Sequence, residues 1–196
     1  MARYNTEQKE QTRERIVAAA GRTFRKGGYS GIGVDGLAKE AGVTSGAFYG
    51  HFESKKVAFE AALVAGLSEV SSSIARLQQE NGAQWWEVFA KFYMNNRRTC
   101  DLAESCALQS LTPEIGRSDE TIRAIFENEL LKIAATINEG SVQKPSQVTK
   151  DNIWASLAML IGGVTLARAV IDQSLSDEIA HAVQNRVIAM QNEQKD

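Results

Sequence analysis

Three observations predict an all-α fold. Apolar residues recur at helical spacing along the chain, and no strand-like alternation persists. Only two prolines occur, Pro113 and Pro145, so long helices are permitted almost throughout. Residues 34–52 read as a short helix, a glycine turn and a second short helix. The pattern predicts about nine helices, grouped as an N-terminal three-helix domain over residues 1–53 and a larger helical domain over residues 54–196.

Each element has its own signal. The first helix, about residues 7–26, sets Ile16, Ala19, Ala20 and Phe24 on one face, and Gly27-Gly28 end it. The second is predicted over 34–41 and the third over 45–50. The fourth starts after Ser54, a suitable cap, and runs through Leu63 and Leu67 to near residue 77. At about 1.5 Å per residue it can reach from one domain into the next. Asn81-Gly82 breaks it. The fifth, 84–99, carries Trp85, Trp86, Phe89, Phe92 and Tyr93, and a short sixth over 106–111 stops near Pro113. The seventh begins after Ser118, with Asp119 and Glu120 in its first turn, and is predicted to bury Ile122, Ile125, Phe126, Leu130, Ile133 and Ile137. Residues 139–146 read as a loop. The eighth, 147–173, presents Ile153, Leu157, Leu160, Ile161, Val164, Ala167 and Ile171. The ninth, 177–191, presents Ile179, Val183, Val187 and Met190.

Composition narrows the function classes. The net charge of −2 hides an asymmetry. Residues 1–60 hold ten Lys/Arg and seven Asp/Glu, whereas 61–196 hold twelve and seventeen. A basic small domain joined to an acidic larger one suits a nucleic-acid reader, although a charge of this size also suits a solvated face. No apolar run near eighteen residues stands out, so no membrane span is expected, and the polar N-terminus lacks the apolar core of a signal peptide. A cytoplasmic protein is expected. The two cysteines, Cys100 and Cys106, are too few for a disulfide framework and lack metal-ligand partners. No Ser-His-Asp order, metal cluster or phosphate loop appears, so no enzyme, metal or cofactor is expected.

The stretch GVTSGAFYGHF, residues 42–52, carries the most chemistry. Gly42 can take a positive φ and end the second helix. Val43 can plug the angle between the helices, and Thr44 or Ser45 can cap the third. This is the layout of a DNA-binding helix-turn-helix, whose second helix enters the major groove by its N-terminal end. Thr44, Ser45, Gly46 and Ala47 are small or polar enough to approach base edges. Phe48 and Phe52, four apart, can dock the helix on its core. Tyr49, His51 and Lys55 can hold phosphates, although each alone also suits a structural role.

Residues 15–63 (RIVAAAGRTFRKGGYSGIGVDGLAKEAGVTSGAFYGHFESKKVAFEAAL) resemble the N-terminal domain of the TetR family of transcriptional regulators. The pair Phe48-Tyr49, then His51-Phe52, then Lys55 after a serine, is the most specific part of the match. The resemblance implies base or near-base contacts from Thr44, Ser45 and Ala47, and phosphate contacts from Tyr49, His51 and Lys55. Where the family often opens the second helix with Ser or Thr, this chain has Gly33, whose backbone N–H could still serve.

A single helix-turn-helix makes few phosphate contacts, so a homodimer on a palindromic double-stranded operator is expected. The last two helices are the candidate interface, with Gly162-Gly163 permitting close helix approach; part of that surface must also be core. The resemblance further implies a small-molecule inducer pocket among the middle helices. Trp85, Phe89, Phe92, Tyr93, Cys106, Gln109 and Phe126 are its candidate lining, with Asn96 and Asn128 as further polar candidates; an aromatic stripe at this spacing is more often plain core than a ligand box. The expected protein is a repressor released by its inducer. An activator, or a regulator sensing oxidants or electrophiles through cysteine, is the alternative.

Overall fold

The computed structural model describes residues 2–140 and 147–192 of the chain. All regular structure among them is helical: α1 (Ala2–Gly27), α2 (Val34–Glu40), α3 (Ser45–Tyr49), α4 (Lys55–Asn81), α5 (Trp85–Thr99), α6 (Ala107–Ile115), α7 (Glu120–Glu139), α8 (Gln147–Ala169) and α9 (Gln173–Asn192). Single 3-10 turns at Gly82–Gln84 and Leu102–Glu104 flank α5. The predicted loop at 139–146 falls mostly outside the described residues.

Two compact units emerge. The first comprises Met1–Leu67 and Leu102–Glu127, and the second Ser68–Asp101 and Asn128–Asp196. The first unit therefore takes in more than the 1–53 segment: the start of α4, all of α6 and the start of α7 belong to it.

The core of the first unit is aromatic. Phe24 of α1 and Phe59 of α4 meet edge to face at 5.1 Å between ring centroids, and Tyr29 contacts both. Ile16, Ala19 and Ala20 of α1 are fully buried, as the periodicity predicted, and so is Leu37 of α2. Arg25 Nε donates to the Ala103 carbonyl at 2.7 Å, tying α1 to the turn before α6. Lys56 Nζ meets Asp119 Oδ2 at 2.7 Å. That hydrogen bond holds the Asp119 carboxyl below its ordinary range.

In the second unit α5 packs on both α8 and α9, and α8 on α9. Trp86 Nε1 donates to the Val187 carbonyl at 3.2 Å, and Trp85 Nε1 to the Gly140 carbonyl at 3.0 Å. Arg98 donates to Ser176 Oγ at 2.7 Å and to Asp177 Oδ1 at 2.6 Å. A Cβ on Gly163 would lie 3.0 Å from Met94 and Val183, so the missing side chain lets α8 sit tightly on α5 and α9.

Several details depart from the sequence prediction. Pro113 lies inside α6 rather than stopping it. It falls near the C-terminal end, where its missing N–H removes a single intrahelical bond, and Gly116 N still reaches the Thr112 carbonyl at 3.0 Å. Asp119 caps α7, accepting from Ile122 N at 3.2 Å, rather than sitting in its first turn. Ile125, Phe126 and Leu130 are only half-buried, while Glu129 is buried and pairs with Lys132 at 2.6 Å. Helix α8 ends before Ile171, which is fully exposed. Asp172 accepts from Leu175 N at 2.7 Å and so starts α9 earlier than predicted. Finally, Lys55–Thr99 and Lys150–Ala169 are long and apolar enough to cross a membrane by length and composition alone, which corrects the expectation that no such run exists. Core helices pass the same test, and Leu63, Leu67, Ile74, Leu157, Leu160 and Val164 of these stretches are buried within the protein.

Candidate nucleic-acid interface

Helices α2 and α3 have seven and five residues, far below the length at which a helix is stable alone. Their ends and their buried faces hold them. Gly42 has φ +67°. Its N–H reaches the Lys39 carbonyl at 3.1 Å, and Val43 N reaches the Ala38 carbonyl at 2.9 Å. This paired C-terminal motif satisfies the last carbonyls of α2 and turns the chain. Of the two candidate caps for α3, Thr44 takes the position: its Oγ1 accepts from Ala47 N at 3.1 Å. Ser45 Oγ instead donates to Asp35 Oδ1 of α2 at 2.5 Å. Phe48 is wholly buried, and Phe52 lies 5.7 Å from it, so these two rings anchor α3 to the core. Ser54 then caps α4, accepting from Val57 N at 3.2 Å.

With its apolar side so anchored, α3 turns a smooth face outward. Thr44, Gly46, Ala47, Tyr49 and Gly50 are exposed, Tyr49 at 56%; Ser45 and His51 are half-buried. Gly33 caps α2 without a side chain and is exposed. A Cβ on Gly33 would meet nothing, and one on Gly46 would meet only Thr44 Oγ1, at 3.9 Å. Packing within the chain does not require glycine at either position.

Lys55 is half-buried and already engaged. Its Nζ donates to the Ile32 carbonyl at 2.9 Å and stands 4.2 Å above the Tyr29 ring. It therefore fastens the start of α4 to the segment before α2, an internal role that its sequence position did not announce. An ammonium has three donors, so this role leaves capacity for an anion.

A groove of about 640 Å³ runs between the N-terminal half of α1 and the end of α3. Gln8, Lys9, Gln11, Thr12 and Arg15 line one wall, and Ala47, Gly50 and His51 the other. Arg13 stacks over Phe52 at 5.0 Å. The His51 imidazole is held below its ordinary pKa, first by burial and then by the charges of Lys9 and Arg13. Both causes favour the neutral imidazole, in a groove already lined with cations. These α1 residues were missed as site candidates. The available signal was Lys9 and Arg13, four apart and therefore on one face of α1.

The candidate pocket residues are divided between the units. Trp85, Phe89 and Tyr93 are buried together in the second unit, their neighbouring rings 5.6–6.3 Å apart. Phe92 stands apart, 40% exposed, with the Arg97 guanidinium 5.4 Å over its ring. Asn96 and Asn128 are exposed. Cys106 and Gln109 are buried, and Phe126 half-buried, in the first unit. Cys106 precedes α6 as its N-cap residue. Cys100 is partly exposed, with an Arg168 guanidinium nitrogen 3.3 Å from its sulfur. Both thiols are free. Among the described residues, no group of three His, Cys, Asp or Glu could hold a metal.

Three large apolar side chains of α8 and α9, Trp154, Leu166 (61%) and Leu175, are exposed. The two adjacent glycines differ. Gly163 is packed inward, while a Cβ on Gly162 would meet open space.

Residues 16–62 match the family model described as bacterial regulatory proteins, tetR family. Among characterised proteins, the chain is 43% identical over 63 residues to the HTH-type transcriptional regulator SrpR of Pseudomonas putida, a match covering 32% of this chain and 30% of that one. It is 38% identical over 85 residues to AcrR of Shigella flexneri, covering 43% and 38% of the two chains. The matched segments thus span about a third of the length of these relatives. Solved structures match over nearly the whole chain. The reduced form of Escherichia coli NemR superposes with a TM-score of 0.77 at 20% identity, covering 92% of this chain and 97% of that one. A TetR-family regulator from Cytophaga hutchinsonii superposes with a TM-score of 0.73 at 18% identity, covering 93% and 96%. At such identities the likeness is one of fold.

Proposed function

We propose that the chain, whose N-terminal segment matches the bacterial TetR family, is a DNA-binding transcriptional regulator of that family, acting as a ligand-released repressor. The observation that carries the reading is the outward face of α3: small, exposed and bordered by the basic groove of α1. Helix α3 enters the major groove, with Thr44, Ser45, Gly46 and Ala47 nearest the bases. Tyr49, His51, Lys55 and the Gly33 N–H hold phosphates, joined by Lys9 and Arg15 across the groove.

Two copies paired through α8 and α9 read a palindromic operator. Trp154, Leu166 and Leu175 supply the apolar contact, and Gly162 lets the helices of the two copies approach closely. An inducer held among the middle helices, near Trp85, Phe89 and Tyr93, favours a conformation of the pair that fits successive major grooves poorly. It must bind that conformation better by the coupling energy, about 1–3 kcal/mol. DNA binding places the protein in the cytoplasm.

The test is a gel-shift titration of purified protein against the duplex flanking its own gene, at low and moderate salt, with wild type beside Tyr49→Phe and Lys9→Ala. The reading expects a saturable shift that weakens with salt and weakens further in both variants. Equal affinity and equal salt slope in all three proteins would sink the assignment of these contacts.

A further inference from the structure

Asp35 stands in the first turn of α2 and is exposed. Its Oδ1 accepts the Ser45 hydroxyl at 2.5 Å, which holds the carboxylate against the residue that opens α3. Among the described residues it joins no ion pair. On a face that meets DNA, a carboxylate is unfavourable by charge alone, because each phosphate repels it. An ionised carboxylate is also acceptor-only. It can be accommodated beside the duplex only where a donor meets it.

The base edges of the major groove offer two such donors, the N4 amino group of cytosine and the N6 amino group of adenine. Adenine sets its N7 acceptor next to the amino group, which suits an amide side chain. Cytosine presents its amino group without that neighbour and suits a carboxylate. The surroundings permit the approach. Gly33 and Gly46, on either side of the Asp35–Ser45 pair in sequence, carry no bulk that would hold the duplex away.

We propose that Asp35, oriented by Ser45, accepts a hydrogen bond from the amino group of a cytosine in each half-site. The inference rests on the DNA-binding reading above and adds a specificity-determining residue to it. Ser45 then acts chiefly by positioning the carboxylate.

The experiment is selection from a random-duplex pool with the full-length wild type, Asp35→Ala, Asp35→Asn and Ser45→Ala, followed by sequencing of the recovered duplexes. Wild type should recover a motif with one cytosine-dominated position in each half. Asp35→Ala should relax that position by roughly tenfold and leave the other positions standing. Asp35→Asn should move the same position toward adenine, and Ser45→Ala should weaken it. The inference is overturned if wild type and Asp35→Ala recover one motif with equal strength at every position. It is also overturned if both alanine variants weaken all positions alike and melt earlier, because the pair then only ties α2 to α3. A wild type that recovers no motif would overturn the DNA-binding reading and this inference together.

Discussion

Gly46 is a helical glycine where an added Cβ would meet only Thr44 Oγ1, at ordinary contact distance. Within the folded chain it costs stability, because glycine loses more backbone freedom than alanine on entering a helix. Gly46→Ala should therefore stabilise the protein by about 0.5–1 kcal/mol in thermal melts. On the proposed reading the same change places a methyl group where the duplex approaches, and operator affinity should fall by roughly tenfold, or about 1.4 kcal/mol. A variant that is both more stable and a weaker binder marks a glycine kept for contact. Thr44→Ala removes the α3 cap and should cost about 1 kcal/mol, read by denaturant unfolding. His51 gives a pH prediction. Its folded pKa lies below its ordinary value, so the unfolded chain binds more protons as pH falls through that window. Stability from this group is full above the ordinary histidine pKa and is lost on acidification. On the proposed reading a DNA phosphate beside Lys9 and Arg13 would reverse the local field and favour the imidazolium. Operator affinity should rise from about pH 8 to about pH 6 at fixed salt, and His51→Gln should flatten that dependence.

At the scale of elements, the turn after α2 decides whether α3 is presented at all. Gly42→Ala forces a Cβ into φ +67° and should cost about 1–2 kcal/mol by denaturant unfolding. How much of this was legible depended on whether a signal was local. The glycine turn, the docking pair Phe48 and Phe52 and the Ser54 cap are written in adjacent residues, and each was read from the sequence. The apolar run through Ile171 carries the predicted α8 past its end at Ala169, and the start of α9 is set by the bond from Leu175 N to Asp172. Pro113 reads as a stop, but α6 continues two residues past it before Gly116 ends the helix. Phe92 was grouped with its neighbours on α5 because helical spacing gives a face only approximately; packing turns it outward, under Arg97. The roles of Lys55 and of the α1 cations depend on residues distant in sequence. Lys55 meets Ile32 and Tyr29, and Lys9 faces His51 across a groove that exists only once α1 and α3 are folded together.

For the whole molecule, the reading requires two copies. Leu166 is 61% exposed and Gly162 faces open space, so neither Leu166→Glu nor Gly162→Ile disturbs the packing of a single chain. Both should yield a folded monomer in sedimentation velocity where wild type is a dimer, and the monomer should bind its operator at least about tenfold more weakly, having lost the second half-site. The central claim is narrower, that the outward face of α3 meets duplex DNA. The measurement that tests it most directly is equilibrium binding of wild type and Gly46→Leu to one selected duplex over a range of salt, with melting temperatures measured alongside. Wild type should bind saturably, with affinity falling steeply as salt rises, while Gly46→Leu should stay folded and lose the specific binding. Equal affinity in the two folded proteins would contradict the claim and would move the DNA contact to another face of the molecule.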